Sequence, residues 1–257
     1  MSKIKIAAVS YLNTKPFLFG IEQSEIANQC EVQREIPSEC FRKLANGEVD
    51  LALVPIGGLH RLQEYHIVSD YCIACEGEVE TVCLFSDVPL EKIQSVLLDF
   101  HSLTSVLLTR ALFKHHWKQN PQFLETGPDF EREISGTTAG LIIGDRAIEA
   151  KARYRYCFDL GEAWFQWTAL PMVFALWVSL RKLEANFEKS FNRALSSGLE
   201  KMEDVVNNNP QFKIPGFDPL AYLKDSIQFK IDPEKQEACK FYLQTTREFL
   251  ELELMPT

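Results

Sequence analysis

The chain has 257 residues, of which 46% are hydrophobic, and a formal net charge of −9 at pH 7. This length is enough for one large domain or two modest ones. The acidic balance argues against a protein that binds nucleic acids or anionic membranes, since both partners require a basic surface. A small anionic ligand is not excluded, because a pocket can be locally positive on an acidic protein.

The sequence also contains indications of the cellular compartment in which the protein is located. No apolar run reaches the roughly 18–20 residues of a membrane span, and the first residues are predicted to form a strand rather than a secretory leader. The seven cysteines are odd in number and scattered, which is typical of a reducing compartment. We therefore expect a cytoplasmic protein with neither a membrane nor a nucleic-acid partner. The sequence does not indicate an oligomeric state.

Strands and helices are predicted to alternate in the N-terminal part of the chain. The predicted segments are a strand over residues 3–9, a helix beginning near Phe17, a strand over residues 31–35, a helix over residues 39–46 and a strand over residues 49–55. This βαβ pattern implies parallel strands in an open α/β sheet.

A polar loop follows the first predicted strand. It contains Ser10, Asn13 and Thr14 and is closed by Pro16, which favours the start of a helix. Ligands of open α/β sheets bind at the carboxyl ends of strands, so these side chains are candidate ligand contacts. The same residue types are ordinary helix caps, and a capped strand-to-helix turn is the alternative interpretation.

A second set of α/β units is predicted for the middle of the chain. Residues 67–75 and 78–86 are predicted to be two strands that pair as a hairpin. Further strands are predicted over residues 95–100, 138–143 and 171–180. The last third of the chain is predicted to be helical.

Hydroxyl groups cluster where the predicted strand over residues 95–100 meets the following helix. Ser102, Thr104 and Ser105 add donors to a helix N-terminus, and this combination favours a carboxylate or phosphate site. The alternative is that Ser102 only caps the helix. No glycine-rich nucleotide motif occurs, so a nucleotide is not expected.

Gly144 and Asp145 follow another predicted strand at its carboxyl end. Asp145 is a candidate base or hydroxyl ligand, and its alternative role is the N-cap of the next helix. Thr81 lies within a predicted strand, where ordinary β-propensity also accounts for it.

No motif for covalent, metal or cofactor chemistry is recognisable in the sequence. The adjacent His115 and His116 diverge on a predicted helix and cannot share a metal. Cys72 and Cys75 form a single C-x-x-C in a predicted strand, which favours packing over redox chemistry. No nucleophile motif occurs. The sequence therefore predicts polar, uncharged ligand contacts, with neither a metal nor a cofactor.

Five segments of the chain match a known family in order. The first and most specific is S-Y-L-N-T-K-P at residues 10–16. The others are residues 47–55, Asp99 with residues 102–106, residues 141–147, and residues 159–164 with residues 167–175. Together they resemble the MqnA family of menaquinone biosynthesis, the chorismate dehydratases of the futalosine route. Two departures are Ile56-Gly57-Gly58, where many relatives are more polar, and Ala169, where glycine is usual.

The resemblance implies a type II periplasmic-binding-protein fold. In that fold two α/β lobes enclose a ligand cleft and are joined by two crossover strands. Lobe one is then expected to comprise residues 1–86 and 177–257, and lobe two residues 87–176. The crossover strands are expected over residues 81–86 and 172–179.

The resemblance further implies a cofactor-independent lyase that eliminates water from chorismate, a dicarboxylate, to give 3-[(1-carboxyvinyl)oxy]benzoate. The candidate catalytic residues are Asn13, Thr81 and Asp145. The candidate substrate-binding residues are Ser10, Tyr11, Thr14, Ser102, Thr104, Ser105 and Gly144. The base is either Asp145 or the substrate's own side-chain carboxylate. Two alternative functions also stay open: a non-catalytic carboxylate-binding protein of the same fold, and a naphthoate-forming synthase of the same pathway.

Overall fold

The structure is a computed structural model that describes residues 3–253. Its strands are β1 (Ile4–Val9), β2 (Cys30–Glu35), β3 (Leu51–Pro55), β4 (His66–Cys75), β5 (Val82–Ser86), β6 (Ser95–Leu98), β7 (Gln122–Glu125), β8 (Thr138–Ile143), β9 (Tyr156–Asp159), β10 (Met172–Ser179) and β11 (Gln228–Lys230). Its α-helices are α1 (Lys15–Glu22), α2 (Pro37–Ala45), α3 (Leu103–Ala111), α4 (Asp145–Ala150), α5 (Leu160–Thr168), α6 (Ala185–Leu199), α7 (Met202–Asn207), α8 (Pro219–Ala221) and α9 (Pro233–Glu253). None of these helices, within the described residues, has both the length and the apolar character that a membrane crossing requires.

The chain divides into two compact α/β units. Unit 1 consists of the chain up to Ala74 together with Phe174–Ile231. Unit 2 consists of Cys75–Val173 together with the chain from Asp232 onward. Each unit has its own mixed sheet with helices packed on it. The predicted class of two α/β lobes is confirmed.

The observed division differs from the predicted one in three segments. Residues 174–176, which the sequence assigns to lobe two, belong to unit 1. Residues 75–86 and the chain from residue 232 onward, which the sequence assigns to lobe one, belong to unit 2. Of the segments in unit 2, the first contains β5, which pairs with β8 and β9. The second contains α9, which packs on α3, where the Tyr242 hydroxyl donates to the Thr104 carbonyl oxygen over 2.9 Å. The chain passes between the units after Ala74, within β10 and after Ile231, so only the β10 crossover lies where it is predicted.

The predicted hairpin over residues 67–86 does not form. β4 lies in the sheet of unit 1, whereas β5 lies in the sheet of unit 2. The segment between them turns at Gly77 and Glu80, whose φ angles are +88° and +64°. An apolar strand pattern does not specify which sheet the strand enters, and this is why the prediction is wrong.

In unit 1 the strand order is β11-β4-β10-β3-β1-β2. β1 is parallel to both β2 and β3, as the βαβ pattern predicts. α1 packs closely on α6, and a side-chain carbon at Gly20 would lie only 2.0 Å from the Ala194 carbonyl oxygen. The buried ring of Phe17 packs edge-on against Trp177, with 6.0 Å between ring centroids. These contacts fix the start of α1 on the sheet.

In unit 2 the strand order is β7-β6-β8-β5-β9. β6 is parallel to β7 and β8, and β5 is antiparallel to β8 and β9. A core of buried residues on one side of this sheet consists of Cys83, Phe85, Leu97, Phe130, Ile134, Ile142, Ala147 and Ala150. Removing such apolar surface from water stabilises the unit by roughly 25 cal/mol per Å².

Candidate functional site

The carboxyl ends of β1 and β3 form a topological switch point in unit 1. The chain leaves β1 toward β2 on one side, and it leaves β3 toward β4 on the other. Connections that diverge in this way leave a crevice at the strand ends, which is where ligands of open α/β sheets bind. The two loops at this position are residues 10–14 and 56–58.

The loop after β1 is a short turn that presents polar groups. The Ser10 amide continues the pairing of β1 with β2. A 3₁₀ turn then covers Leu12–Thr14, and its Thr14 amide donates to the Tyr11 carbonyl oxygen over 3.0 Å. The Thr14 side chain is buried, and its hydroxyl donates to Asn13 Oδ1 over 3.2 Å. Ser10, Tyr11 and Asn13 are half-buried.

Helix capping does not account for these polar side chains. α1 begins at Lys15, slightly earlier than predicted, with Pro16 in its first turn. Thr14 occupies the N-cap position, but its side chain makes no capping hydrogen bond. The Thr14 hydroxyl bonds to Asn13 instead, so it orients the Asn13 amide rather than the helix.

The loop after β3 departs from the family pattern for a packing reason. Ile56 and both glycines are buried at the start of a 3₁₀ helix over Ile56–Arg61. A side-chain carbon at Gly58 would lie 2.6 Å from the Phe41 ring of α2. The close approach of α2 therefore explains a glycine at this position.

The carboxyl ends of β6 and β8 form a second switch point, in unit 2. The chain leaves β6 toward β7 on one side and β8 toward β9 on the other. β5 starts at the same edge, because its first residue, Val82, pairs with Ile143 at the end of β8. The structure thus brings to one edge all the candidate residues of this unit, namely Thr81, Ser102, Thr104, Ser105, Gly144 and Asp145.

The hydroxyl cluster of unit 2 lies at the start of α3. Ser102 is the N-cap residue, and its Oγ accepts from the Ser105 amide over 3.1 Å. The Ser102 hydroxyl donates to Ser105 Oγ over 3.0 Å. Ser102, Thr104 and Ser105 are each at most 4% exposed. The capping role considered for Ser102 is confirmed, and the cluster stands at the positive end of the helix dipole.

A buried carboxylate joins the two loops of this switch point. Asp99 follows β6 and is fully buried. Its Oδ1 accepts from the His101 amide over 3.0 Å, and its Oδ2 accepts from the Ile143 amide over 3.0 Å. Arg146 Nη2 also donates to Oδ2 over 2.5 Å. A desolvated carboxylate needs such donors to remain charged, so Asp99 fixes the loop after β6 to the end of β8.

Arg146 extends this network to two further side chains. It forms an ion pair with Glu131, and its Nη2 donates to His101 Nδ1 over 3.0 Å. A guanidinium has no acceptor, so Nδ1 of His101 accepts and the neutral ring carries its proton on Nε2. Burial lowers the pKa of His101; the Asp99 charge opposes that shift and Arg146 adds to it. His101 is therefore neutral at neutral pH.

Asp145 and Thr81 lie beside one another at this edge. Asp145 is the first residue of α4, and the N-cap is Gly144 at φ +67°, so the capping role considered for Asp145 is not observed. The Gly144 amide donates to the Thr81 carbonyl oxygen over 2.8 Å. Thr81 precedes β5 instead of lying within a strand, and its buried hydroxyl donates to the Val79 carbonyl oxygen over 3.3 Å.

A second carboxylate, which is half-buried, holds the turn before Thr81. Asp159 caps α5 and also accepts from the preceding turn, where the Glu80 amide lies 2.7 Å from Oδ2. The amides that donate to it are those of Val79, Glu80, Gly161 and Glu162. Burial raises the pKa of Asp159, and these four hydrogen bonds oppose that shift.

Sequence reasoning missed the positioning roles of Asp99, Arg146 and Asp159. The available signal was an aspartate at the carboxyl end of an apolar strand: Asp99 directly follows β6, and Asp159 is the last residue of β9. That position suggests a local cap and gives no sign of a distant partner.

The edge in unit 1 presents hydroxyl and side-chain amide groups, and the edge in unit 2 presents hydroxyl and carboxylate groups. Within residues 3–253, no group of three or more His, Cys, Asp or Glu side chains is arranged to hold a metal ion. The donors suit an anionic or hydroxyl-bearing small molecule, and the half-buried Asp145 supplies an acceptor beside them.

Comparison with known proteins gives two agreeing sequence matches. The model of a menaquinone biosynthesis family matches residues 4–248. A chorismate dehydratase of Thermus thermophilus is 33% identical to this chain over 201 residues, which cover 68% of this chain and 71% of that protein.

Solved structures of much lower identity have the same fold. A protein of Archaeoglobus fulgidus is 14% identical, with a TM-score of 0.76 over 96% of this chain and 97% of its own. A gene product of Candida albicans, described as having the generic periplasmic binding protein fold, is 11% identical, with a TM-score of 0.63 over 100% of this chain and 92% of its own. The predicted periplasmic-binding-protein-like fold is confirmed.

Proposed function

The chain belongs to the menaquinone biosynthesis family, and on this premise we propose that it is a chorismate dehydratase, a lyase that converts chorismate into 3-[(1-carboxyvinyl)oxy]benzoate and water. The observation that carries the proposal is the 33% identity to a chorismate dehydratase over 71% of that protein. The neutral donors at the two switch points support it, because the substrate has two carboxylates and a hydroxyl that must be held.

The reaction suits a site of this chemistry. The ring C3–H of chorismate is acidified through conjugation with the ring carboxylate, the C4 hydroxyl leaves, and the ring becomes aromatic. Such an elimination depends on the orientation of the substrate and on the exclusion of water. We therefore propose that the reaction proceeds without a cofactor.

In unit 2 the start of α3 is proposed to bind one carboxylate. Ser105 Oγ accepts from Ser102, so the Ser105 proton remains to be donated to an anion. Thr104 lies in the same first turn, where the helix dipole favours negative charge. Thr81 and Gly144 are proposed to contact the ring or its hydroxyl, since Gly144 lets the ligand approach the backbone closely.

In unit 1 the loop after β1 is proposed to bind the other carboxylate or the departing hydroxyl. Asn13 is the main contact, supported by Ser10 and Tyr11. The Thr14 hydroxyl bonds to Asn13 Oδ1, so the Nδ2 amino group of Asn13 is the part that donates to the substrate. The role of Thr14 is to set that orientation.

The proton at C3 is removed either by Asp145 or by the side-chain carboxylate of the substrate. Asp145→Asn separates the two. If Asp145 is the base, turnover falls about 10²–10⁴-fold, which is the usual contribution of a positioned base. Glu149→Gln is the matched control, because Glu149 is an exposed carboxylate on the same helix. Full turnover by Asp145→Asn would assign the base to the substrate.

The proposed function is tested by incubating the protein with chorismate. The expected result is a change in the ultraviolet spectrum as the aromatic ring forms, and a product lighter than chorismate by one water. Chorismate that binds tightly but stays unchanged would identify a non-catalytic binding protein instead. A failure to act on chorismate together with formation of a naphthoate from a later intermediate would identify another enzyme of the pathway.

A further inference from the structure

Two cysteines of unit 2 lie on neighbouring strands of its sheet. Cys83 lies in β5 and Cys157 in β9, and these strands are antiparallel. Cys83 is opposite Asp159, and Cys157 is opposite Phe85. Side chains alternate along a strand, so both thiols point to the same face of the sheet as diagonal neighbours. The Cys83 thiol donates to the Glu80 carbonyl oxygen over 3.6 Å and lies 3.8 Å from Asp159 Oδ2.

The two thiols differ in their access to solvent. β9 is an edge strand of its sheet, and Cys157 is exposed there. Cys83 is fully buried. The other cysteines are all buried or partly buried; they are Cys30, Cys40, Cys72, Cys75 and Cys239. An oxidant in solution therefore reaches Cys157 first.

The surroundings make Cys157 the nucleophile of the pair. The neighbouring Cys83 thiol lowers the pKa of Cys157 and the Lys151 charge acts in the same direction, while burial and the charges of Asp159 and Glu78 oppose the shift. The neighbouring Cys157 and burial raise the pKa of Cys83. Burial raises the pKa of Cys239 to about 12, so that thiol stays protonated. A thiolate is the reactive form of cysteine, and only Cys157 combines a lowered pKa with exposure.

We propose that Cys83 and Cys157 form a reversible disulfide when the protein meets a hydroperoxide. The Cys157 thiolate attacks the hydroperoxide, so an S–O bond forms and the O–O bond breaks. The departing alkoxide or hydroxide takes up the proton that the thiol released on ionising, which leaves a sulfenic acid and an alcohol or water. The Cys83 sulfur then attacks the sulfenic sulfur. The S–S bond forms, and the departing hydroxide takes the Cys83 proton as water.

The position of the pair makes this disulfide labile. Diagonal neighbours in an antiparallel sheet lie about 7–8 Å apart at Cα, slightly beyond the usual disulfide span of about 4.4–6.8 Å. β9 pairs with β5 alone in the described sheet, so it can shift to close this gap. A strained, exposed disulfide is easily reduced, which is the property of a regulatory bond. The proposal does not depend on the dehydratase activity.

The test is oxidation of the purified protein with hydrogen peroxide, followed by alkylation of free thiols and peptide mapping. The expected result is the loss of two hydrogens from the intact mass and one cross-linked peptide pair containing Cys83 and Cys157. Dithiothreitol restores the original mass. Oxygen adducts on Cys157 without a cross-link, or a cross-link to another cysteine, would overturn the proposal.

Three variants complete the test. Cys157→Ser abolishes the mass loss, whereas Cys239→Ser, the matched control at a partly buried thiol, leaves it unchanged. In Cys83→Ser the Cys157 sulfur accumulates oxygen adducts, because its partner is missing. Because Cys83 is buried, the Cys83→Ser variant can fail to fold. The comparison of Cys157→Ser with Cys239→Ser does not depend on that variant and tests the disulfide by itself. A mass loss that persists in Cys157→Ser contradicts the proposal.

Discussion

The carboxyl edges of the two sheets hold their candidate residues in different ways. In unit 1 the loop after β1 is a backbone turn, and the side-chain bond within it joins Thr14 to Asn13. In unit 2 the corresponding loops are held by two carboxylates that accept from backbone amides, one buried and one half-buried. Asp99 joins the loop after β6 to the end of β8, and Asp159 holds the turn before β5.

This difference separates residues that hold the fold from residues that contact a ligand. A buried charge that binds several amides is costly to remove, because its partners lose their acceptor. A side chain on a backbone turn can be removed at small cost in stability. We therefore expect changes at Asp99 to reduce both stability and turnover. A change at Asn13 that keeps the oxygen bonded to Thr14 should reduce turnover alone.

Asp99→Ala is expected to have the largest effect on stability. It leaves Arg146 and two amides without their acceptor, and we expect the free energy of unfolding to fall by about 3 kcal/mol. Glu22→Ala in unit 1 is the matched control, because Glu22 is exposed and pairs with the exposed Arg34, and such pairs contribute about 1 kcal/mol or less. Urea denaturation of both variants gives the comparison. Equal decreases in the free energy of unfolding would show that burial of the Asp99 charge does not determine its contribution to stability.

Asp159→Asn is expected to lower the free energy of unfolding by about 2 kcal/mol, because one carboxylate oxygen is replaced by an amino group that faces amide donors. The pH dependence is the sharper test. The pKa of Asp159 is raised by burial from its ordinary value of 3.8, so the folded protein binds this proton more tightly than the unfolded chain. Ionisation then reduces stability as pH rises through this range.

The free energy of unfolding of the wild type should accordingly exceed that of Asp159→Asn by a smaller amount as the pH rises from below 3.8. Unfolding free energies of both proteins across this range provide the measurement. A difference in unfolding free energy that grows with pH would mean that the four amide hydrogen bonds affect the pKa of Asp159 more strongly than burial does.

Ala169→Gly is expected to have the smallest effect, a gain of about 0.5–1 kcal/mol. Ala169 ends α5 at φ +54°, a conformation that glycine adopts without strain. Ala163→Gly within the same helix is the control, and it should lose about 1 kcal/mol. Thermal unfolding of the two variants should shift in opposite directions. Shifts in the same direction would show that the backbone at Ala169 is not strained.

Local features of the fold were predictable from the sequence. The strands β1, β3, β6 and β8 are apolar runs ended by polar residues, and their parallel pairing follows from the βαβ order. The loops that follow them lie at strand carboxyl ends, so the polar clusters near Asn13 and Ser102 could be named as candidates.

The features that the sequence did not predict depend on strand register and on long-range pairing. β5 enters a different sheet from β4, which no local pattern specifies. Asp99 reaches Ile143 and Arg146 only because β6 lies beside β8 in one register. The N-cap of α4 is Gly144, whose φ of +67° lets the chain turn before Asp145, and a polar residue type alone does not reveal this.

The most direct test of the central claim is the turnover of chorismate by three variants beside the wild type. Asn13→Asp keeps the shape of the side chain but replaces the Nδ2 donor with a negative charge. We expect it, Asn13→Ala and Thr104→Ala to lose turnover about tenfold to hundredfold, the value of one hydrogen bond to a charged group. Asn13→Asp keeps the oxygen that accepts from the Thr14 hydroxyl, so it should keep the wild-type urea midpoint. Full turnover by both Asn13→Ala and Thr104→Ala would contradict the proposed site.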